Sequence, residues 1–473
     1  MMEIPCGMQE QFLEAKELIE SSNDIKIYTH TDCDGICSGA ILSIILDRLN
    51  KDYEIEFVNL DEIEDLDLDH KLTIFSDLGS GQGVDKNAKD GQKILILDHH
   101  PPLRDINYKN DKTYTYLEIN PMFYGIDGSY YVCGGGLCYF LAKTFGFKDL
   151  SWIGVLSAIG DMQNNKTGHF EGLNEIIQED AINEGLLKVP KTDLNIYGRS
   201  TRPLYVALSY FSDVKLPTTN NQQEAKVVLE ELGVDEKHNR KTLSEVTEED
   251  KMEIKKFLSR MISKRVPPKY LKYVPKLIVG DAYTFLNEEE GSFLRDGSEF
   301  STAMNACGRN RKEAIGVDII KGDRLVALDA LEEVSKTHKY NLATSISKVA
   351  DNYHSEIIEL DNFQYFDCSD FDEDIASNII GTITGMVLGY CNWKKPILGF
   401  SKPKNNQIKV SLRCSKLLAY DGIHFGNMMR EIAKEVGGTG GGHAIACGAY
   451  IPNEKKSEFL DKFNRKLQGK IAN

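Results

Sequence analysis

A chain of 473 residues is too long for one small domain and divides into two or three, each able to bury a core without disulfide staples. Its formal net charge of −16 excludes a protein that holds nucleic acid by global charge, because phosphate binding relies on Lys and Arg displacing counterions. The ten cysteines are scattered with no C-x-x-C pair, and no stretch approaches the ~18 apolar residues that cross a bilayer, so the expectation is a cytoplasmic protein with no membrane partner.

Residues 1–22 read as an acidic helix rather than a secretory signal. From residue 25 to about 161, short apolar runs at 25–28, 54–58, 72–75, 93–97 and 114–119 alternate with helical stretches, and 36–49 has the small and aliphatic residues of a buried helix. That alternation predicts a mostly parallel sheet with helices on both faces. Residues 164 to about 283 carry longer helical patterns, at 222–232 and 249–261, the latter N-capped by Thr247, and read as an insertion. Beyond about residue 356, segments 355–360, 396–400 and 407–412 read as strands, the last two joined as a hairpin through 402–406. Helical patterns at 372–388 and 425–436 interleave with them. The expected fold class is α/β: a parallel-sheet domain over 1–185, a mainly helical insertion over 186–285, a connecting segment over 286–350 and a smaller α/β domain over 351–473.

Four acidic or imidazole pieces follow apolar runs: His30-x-Asp32-x-Asp34-Gly35, Asp77, Asp98-His99-His100 and Asp161. Open α/β sheets bind ligands at the carboxyl ends of their strands, where such groups converge. In an extended segment side chains repeat every two residues, so His30, Asp32 and Asp34 are expected on one face with Cys33 on the other, and Gly35 is expected to permit a tight turn into a helix starting near Ile36. Asp32, Asp34, Asp77 and Asp161 cannot stay ionised together without compensating positive charge, which two dications supply. Carboxylates with imidazoles favour manganese, zinc or cobalt over calcium, and a two-metal site activates water and stabilises charge on a phosphoryl group. A lone aspartate after an apolar run is ordinarily a turn residue or helix cap, but four such pieces in this order are not explained that way.

These residues resemble the DHH phosphoesterase superfamily, with Asp98-His99-His100 as its triplet and Gly440-Gly441-Gly442-His443-x-x-Ala446-x-Gly448 similar to the signature of its DHHA1 domain. Lys409-Val410-Ser411-Leu412-Arg413 looks like that domain's strand motif, and Asn305-Ala306-Cys307-Gly308-Arg309 resembles the Asn-Ala-x-Gly-Arg block of RecJ exonucleases. The whole order is similar to archaeal RecJ-like nucleases of the GINS-associated type. The resemblance implies one metal held by His30, Asp32 and Asp77 and another by Asp34, Asp77, His99 and Asp161. Both would be Mn2+, with Mg2+ or Co2+ as alternatives. It also implies that His100 faces the scissile phosphate and that Asp98 orients a histidine. The one departure, Cys33 where bacterial RecJ usually has a small residue, sits on the expected non-ligand face.

Substrate contacts are expected from Asn305, Arg309, Arg413 and His443 and from the unshielded amides of Gly440, Gly441 and Gly442, read as a concave anion-binding loop. A basic stretch, Lys255, Lys256, Arg260, Lys264, Arg265, Lys269, Lys272 and Lys276, has Tyr270 and Tyr273 interleaved. It reads either as a solvated helix face or as a track for a single strand. The insertion is the expected docking point for a GINS or other replisome protein, by resemblance alone. The expected function is a hydrolase that removes nucleotides from single-stranded nucleic acid; the resemblance implies action on DNA, 5′ to 3′, in replication and repair. The alternatives are a 3′-to-5′ RNA or short-oligonucleotide exonuclease, a non-catalytic replisome scaffold, and an inorganic pyrophosphatase, against which the Gly-Gly-Gly-His ending and the Asn-Ala-x-Gly-Arg block speak.

Overall fold

Five of the apolar runs become parallel strands. The computed structural model describes residues 2–60, 62–63, 66, 68–108, 113–234, 241–350, 356–369 and 373–471. The chain begins with α1 (Cys6–Glu20), β1 (Ile25–Thr29), α2 (Cys33–Arg48), β2 (Tyr53–Phe57), β3 (Leu72–Ser76), β4 (Lys93–Leu97) and β5 (Thr115–Ile119). There follow α3 (Gly134–Thr144), α4 (Ser151–Gly160), α5 (Leu173–Asn183) and the short β6 (Leu187–Lys188). The sheet runs β2-β1-β3-β4-β5, all parallel, so the order reverses beside β1, the place where sheets of this topology open a ligand crevice. Register makes the strand ends level: Thr29 pairs with Ser76 and Ser76 with Leu97. His30, Asp77 and Asp98 therefore leave the sheet side by side.

Alternation along the strands explains their unbroken apolar character. Ile25, Ile27, Leu72, Ile74, Leu95 and Leu97 enter one core with α1, α2, α3 and α4, whereas Tyr28, Phe75, Ile94 and Ile96 enter another with Val58, Leu78, Val84 and Tyr114. Among the described residues α-helices thus cover one face. Among the described residues the connections from β2 to β5 contain no α-helix, so turns and loops cover the other face. This corrects the expectation of helices on both faces. The reason is visible in residues 77–92 and 98–114, where Gly, Pro and Asp interrupt any helical period.

The next segment contains β7 (Asp193–Leu194), α6 (Leu204–Ser209), α7 (Gln222–Glu231), α8 (Glu248–Ser263), α9 (Val274–Ile278) and β8 (Val279–Gly280). Thr247 caps α8 by accepting from Asp250 N, as its acidic first turn predicts. After it come β9 (Thr284–Phe285), α10 (Gly297–Arg309), α11 (Glu313–Ile320) and α12 (Val326–Ala350). The chain ends in β10 (Ile358–Glu359), β11 (Gln364–Asp367), α13 (Glu373–Val387), β12 (Ile397–Phe400), β13 (Gln407–Arg413), α14 (Lys416–Tyr420), α15 (Phe425–Glu435), β14 (Thr439–Gly442), β15 (Ala446–Pro452) and α16 (Lys456–Leu467). Ser355 and Asp372, the first residues of an expected strand and helix, lie outside the described residues. The second sheet is mixed, ordered β10-β11-β12-β13-β15-β14, with the expected hairpin formed by β12 and β13.

Two compact units result, each discontinuous in sequence: Met1–Lys191 with Asp281–Ser335, and Thr192–Gly280 with Lys336–Asn473. In the second unit the helical segment shares its core with Trp393 and Leu417. No helix of the described residues is long and apolar enough to cross a membrane.

Leu95 is fully buried in the centre of the first sheet. Leu95→Ala is expected to lower the unfolding free energy by about 2–5 kcal/mol in urea titration, and a loss below about 1 kcal/mol would contradict this packing.

Candidate metal centre

Three strand ends build the site from the first sheet, and two helices complete it. His30 follows β1, Asp77 follows β3 and Asp98-His99-His100 follows β4. Asp77 stands in the left-handed region at φ 58°, a conformation that costs a non-glycine residue about 1–3 kcal/mol and is retained where surroundings impose it. The surroundings here are Gly134, at the start of α3: a Cβ there would lie 2.6 Å from that of Asp77.

Asp32 caps α2, its Oδ1 accepting from Gly35 N at 3.1 Å. The helix consequently starts at Cys33, three residues earlier than expected, and the extended two-residue alternation ends at Asp32. Asp34 reaches the site from the first helical turn. Cys33 is fully buried, with Sγ 3.8 Å from the Leu156 carbonyl, so it faces away from the donors as expected, but for a helical reason. Gly35 serves close approach rather than a turn, since a Cβ would meet the His30 carbonyl oxygen at 2.0 Å. Asp161 also arrives from a helix, ending α4 rather than a strand.

Of three donor clusters with metal-ligating separations among the described residues, one joins Asp77 to Asp98, His99 and His100, and the other two take in the six expected ligands. His30 Nδ1 lies 3.0 Å from Asp32 Oδ2 and 3.5 Å from Asp77 Oδ2. His99 Nε2 lies 3.3 Å from Asp77 Oδ1 and 3.6 Å from Asp34 Oδ2, and its Nδ1 is 3.8 Å from Asp161 Oδ2. His30, Asp32 and Asp77 form one group with metal-ligating separations, and Asp34, His99 and Asp161 another. Two donors each about 2.1–2.2 Å from one cation and about 90–110° apart stand about 3.0–3.6 Å from each other, the spacing of the contacts at His30 Nδ1 and His99 Nε2. His30 Nδ1, Asp77 Oδ2 and His99 Nε2 are buried without a hydrogen-bond partner. Buried polar atoms of this kind require a partner, and a cation between them provides one. The residues fit divalent metal.

Electrostatics agree. Burial and the Asp77 charge push the Asp34 carboxyl well above its usual range, although Gly134 N, Gly135 N and Ser157 Oγ all donate to it. Burial opposes charge on both histidines, yet Asp32 and Asp77 raise His30, and Asp161, Asp77 and Asp34 raise His99, well above the ordinary imidazole value.

Asp98 is fully buried. Its Oδ1 accepts from His99 N at 2.8 Å, from His100 N at 3.2 Å and from His100 Nδ1 at 2.8 Å, and its Oδ2 accepts from Ser80 N at 2.9 Å. The histidine it orients is His100, whose side chain is 45% exposed. His99 is instead oriented by the Gly128 carbonyl, to which Nδ1 donates at 2.7 Å, leaving Nε2 for the site.

The expected substrate contacts are distributed over both units. Asn305, in α10, accepts from Cys33 N at 3.1 Å and so braces the start of α2 rather than pointing to solvent. Arg309 ends the same helix. Arg413, Gly440, Gly441, Gly442 and His443 belong to the second unit. Arg413 ends β13, donates to its neighbouring Leu412 carbonyl at 2.8 Å and is held below its ordinary pKa by burial, which the Cys447 and Cys414 thiols only partly oppose. Gly440, Gly441 and Gly442 are not a concave loop. They form the edge strand β14, paired with β15, and α15 packs so closely on it that a Cβ at Gly426 would sit 1.8 Å from the Gly442 carbonyl oxygen. The basic stretch is partly engaged: Lys269 pairs with Asp421 at 2.6 Å and Lys255 donates to the Thr192 carbonyl at 2.8 Å. Tyr270 is buried against Trp393, so it is unavailable for stacking on a base. Gly134, Gly135 and Ser157 were not expected at the site; the Gly134-Gly135-Gly136 run opening an apolar helix was their only signal.

Three known domain families match segments of the chain. The model of the DHH family N-terminal domain matches residues 24–155, that of the DHH-CID domain 196–274 and that of the DHHA1 domain 361–469. The uncharacterized protein MJ0831 of Methanocaldococcus jannaschii is 30% identical over 446 residues, spanning 93% of this chain and 92% of its own length. The chain belongs to the DHH/DHHA1 phosphoesterase family. Among solved structures, this DHH protein shares its fold with CDC45 from Entamoeba histolytica, at TM-score 0.62 and 15% identity over 98% of this chain and 99% of that one. It also shares it with RecJ from Thermus thermophilus in complex with Mn2+, at TM-score 0.55 and 12% identity over 99% of this chain and 55% of that one.

Metal binding to this DHH centre is expected to release protons, because ligands must be deprotonated. The sign follows from the raised histidines: their stabilisation of the metal-free chain is complete below about pH 6.5 and is lost as pH rises through the raised values. Apparent Mn2+ affinity should therefore increase with pH. Titration calorimetry in buffers of differing ionisation enthalpy checks this, and a heat independent of buffer would contradict it.

Proposed function

We propose that this DHH protein is a two-metal phosphodiesterase that removes nucleotides from the end of single-stranded nucleic acid, foremost single-stranded DNA in the 5′-to-3′ direction, in DNA replication or repair. One observation carries the reading. Asp77 presents its two oxygens to two separate donor sets, 3.5 Å from His30 Nδ1 and 3.3 Å from His99 Nε2. His30, Asp32 and Asp77 would hold one divalent cation, and Asp34, Asp77, His99 and Asp161 the other. Bound there, such a pair supplies an activated water and neutralises charge on the phosphoryl oxygens. The complex of Thermus thermophilus RecJ with Mn2+ supports manganese, with magnesium or cobalt as alternatives.

The chain's own groups do the rest. His100, its Nδ1 fixed by Asp98, keeps Nε2 for a non-bridging phosphoryl oxygen, and the exposed position suits a group that meets substrate. Arg309 in the first unit, and Arg413 and His443 in the second, are each assigned to binding substrate phosphate. Arginine suits that task because its planar fork binds phosphate bidentately. The segment matched by the DHH-CID domain is assigned to docking a replisome protein such as GINS. A fold alone does not separate an enzyme from an interaction module. The intact donor set His30, Asp32, Asp34, Asp77, His99 and Asp161 favours the enzyme.

Asp77→Asn keeps a residue that tolerates the left-handed conformation and removes one of four crowded charges. It is expected to melt at or above the wild-type temperature in EDTA, while Mn2+-dependent hydrolysis falls by more than the 10–100-fold typical of an outer-shell change. DNA and RNA strands labelled at one end or the other read substrate and direction from the order of products. Undiminished cleavage by the variant would remove the metal assignment. Pyrophosphate hydrolysis beside untouched oligonucleotides would overturn the nuclease.

A further inference from the structure

We infer that Gln163, itself held by Asn174, is a positioning residue that sets His99 and Asp161 together as one half of the metal centre; this rests on the two-ion reading above. Gln163 is 2% exposed and Asn174 1% exposed. The two hydrogens of the Gln163 amide are divided between two acceptors: Nε2 donates to Asp161 Oδ2 at 2.8 Å and to the Gly128 carbonyl at 2.8 Å. That same carbonyl accepts from His99 Nδ1. A single side chain thereby ties Asp161, a ligand itself, to the group that orients His99.

The backbone delivers Gln163 to this place by reversing at the end of α4. Met162 stands in the left-handed region at φ 54°, Met162 N donates to the Ile159 carbonyl at 3.0 Å and Gln163 N to the Ala158 carbonyl at 3.0 Å, the paired bonds of a Schellman ending. Glycine usually fills that left-handed position; here a methionine bears the strain. Asn174, in the first turn of α5, then fixes which way the amide points. Its Nδ2 donates to Gln163 Oε1 at 2.6 Å and to the Tyr130 carbonyl at 3.3 Å, and its N donates to the Tyr131 carbonyl at 2.9 Å. Were the Gln163 amide reversed, its oxygen would face a carboxylate and a carbonyl, both acceptors. Only one orientation of the Gln163 amide matches donor to acceptor at all three of its contacts, while Asn174 Oδ1 stays buried with no hydrogen-bond partner.

The arrangement makes two substitutions equivalent although they alter different residues. Gln163→Glu is almost isosteric but sets a carboxylate against Asp161 and the Gly128 carbonyl. Asn174→Asp removes the donor to Gln163 Oε1 and favours the reversed amide, which sets an oxygen against the same two acceptors. In each variant one of two Mn2+ ions should bind about 10–100-fold more weakly while the other holds its affinity, and kcat should fall with KM little changed. Free Mn2+ is followed by electron paramagnetic resonance during titration, with melting in EDTA measured alongside. Unaltered two-site binding in both variants overturns the inference, as does equal loss of both ions with a lowered melt in EDTA, the signature of a merely structural role. Wild-type protein that binds fewer than two ions would instead sink the two-ion reading, and the inference with it.

Discussion

Four carboxylates drawn toward one another, Asp32, Asp34, Asp77 and Asp161, are the constraint to which the rest of the first unit answers. Like charges in a shielded setting cannot coexist without compensation, and the chain supplies it piecemeal. The N-terminal amides of α3 and the Ser157 hydroxyl meet Asp34. Glycine at position 134 lets that helix end come within contact of Asp77. What remains unmet is concentrated in His30 Nδ1, Asp77 Oδ2 and His99 Nε2.

Precision of this order depends on a rigid base. Level strand ends place His30, Asp77 and Asp98 side by side, and buried hydroxyls lock the neighbouring residues: Ser76 Oγ donates to Thr29 Oγ1 at 2.9 Å, and Thr29 Oγ1 to the Gly35 carbonyl at 2.7 Å. Asn305 holds the same first turn of α2 from α10, more than 270 positions along the chain. Burial of each aliphatic side chain behind this base contributes about 1.5–3 kcal/mol, enough for the packed sheet to sustain a strained Asp77.

The sheet and the aspartates were legible because both signals are local. Apolar runs such as 93–97 and 72–75 end in polar groups whichever way the chain later folds. Where reasoning failed, the deciding partner was distant or the backbone changed its period. Asp32 ends the strand by capping a helix, so Asp34 and Cys33 follow helical rather than extended spacing. The Gly440-Gly441-Gly442 run looks like a turn in isolation, and only the pairing with β15 and the approach of α15 show why a strand here is built of glycine. Asn305 Oδ1 accepts a backbone N–H of α2 across 272 positions of sequence, a contact no local pattern reveals. Tyr270, beside basic residues in sequence, is claimed by Trp393. Gln163 has no sequence signature, since its hydrogen bonds to Gly128 and Asn174 form only once the chain has folded.

Discontinuity of both units has a bearing on how the polypeptide matures. A ribosome delivers residues from the amino end, and domains complete in that order. The first core stays unfinished until Phe285, Phe300, Met304 and Leu331 emerge, because these side chains fill it beside α2 and α4. By then the helical segment has already been made, with its own core still lacking Trp393 and Leu417. Newly synthesised protein therefore passes through a stage in which one unit is sealed while the other presents bare apolar surface, and that interval, rather than the finished molecule, is where association with chaperones or with sister chains would begin.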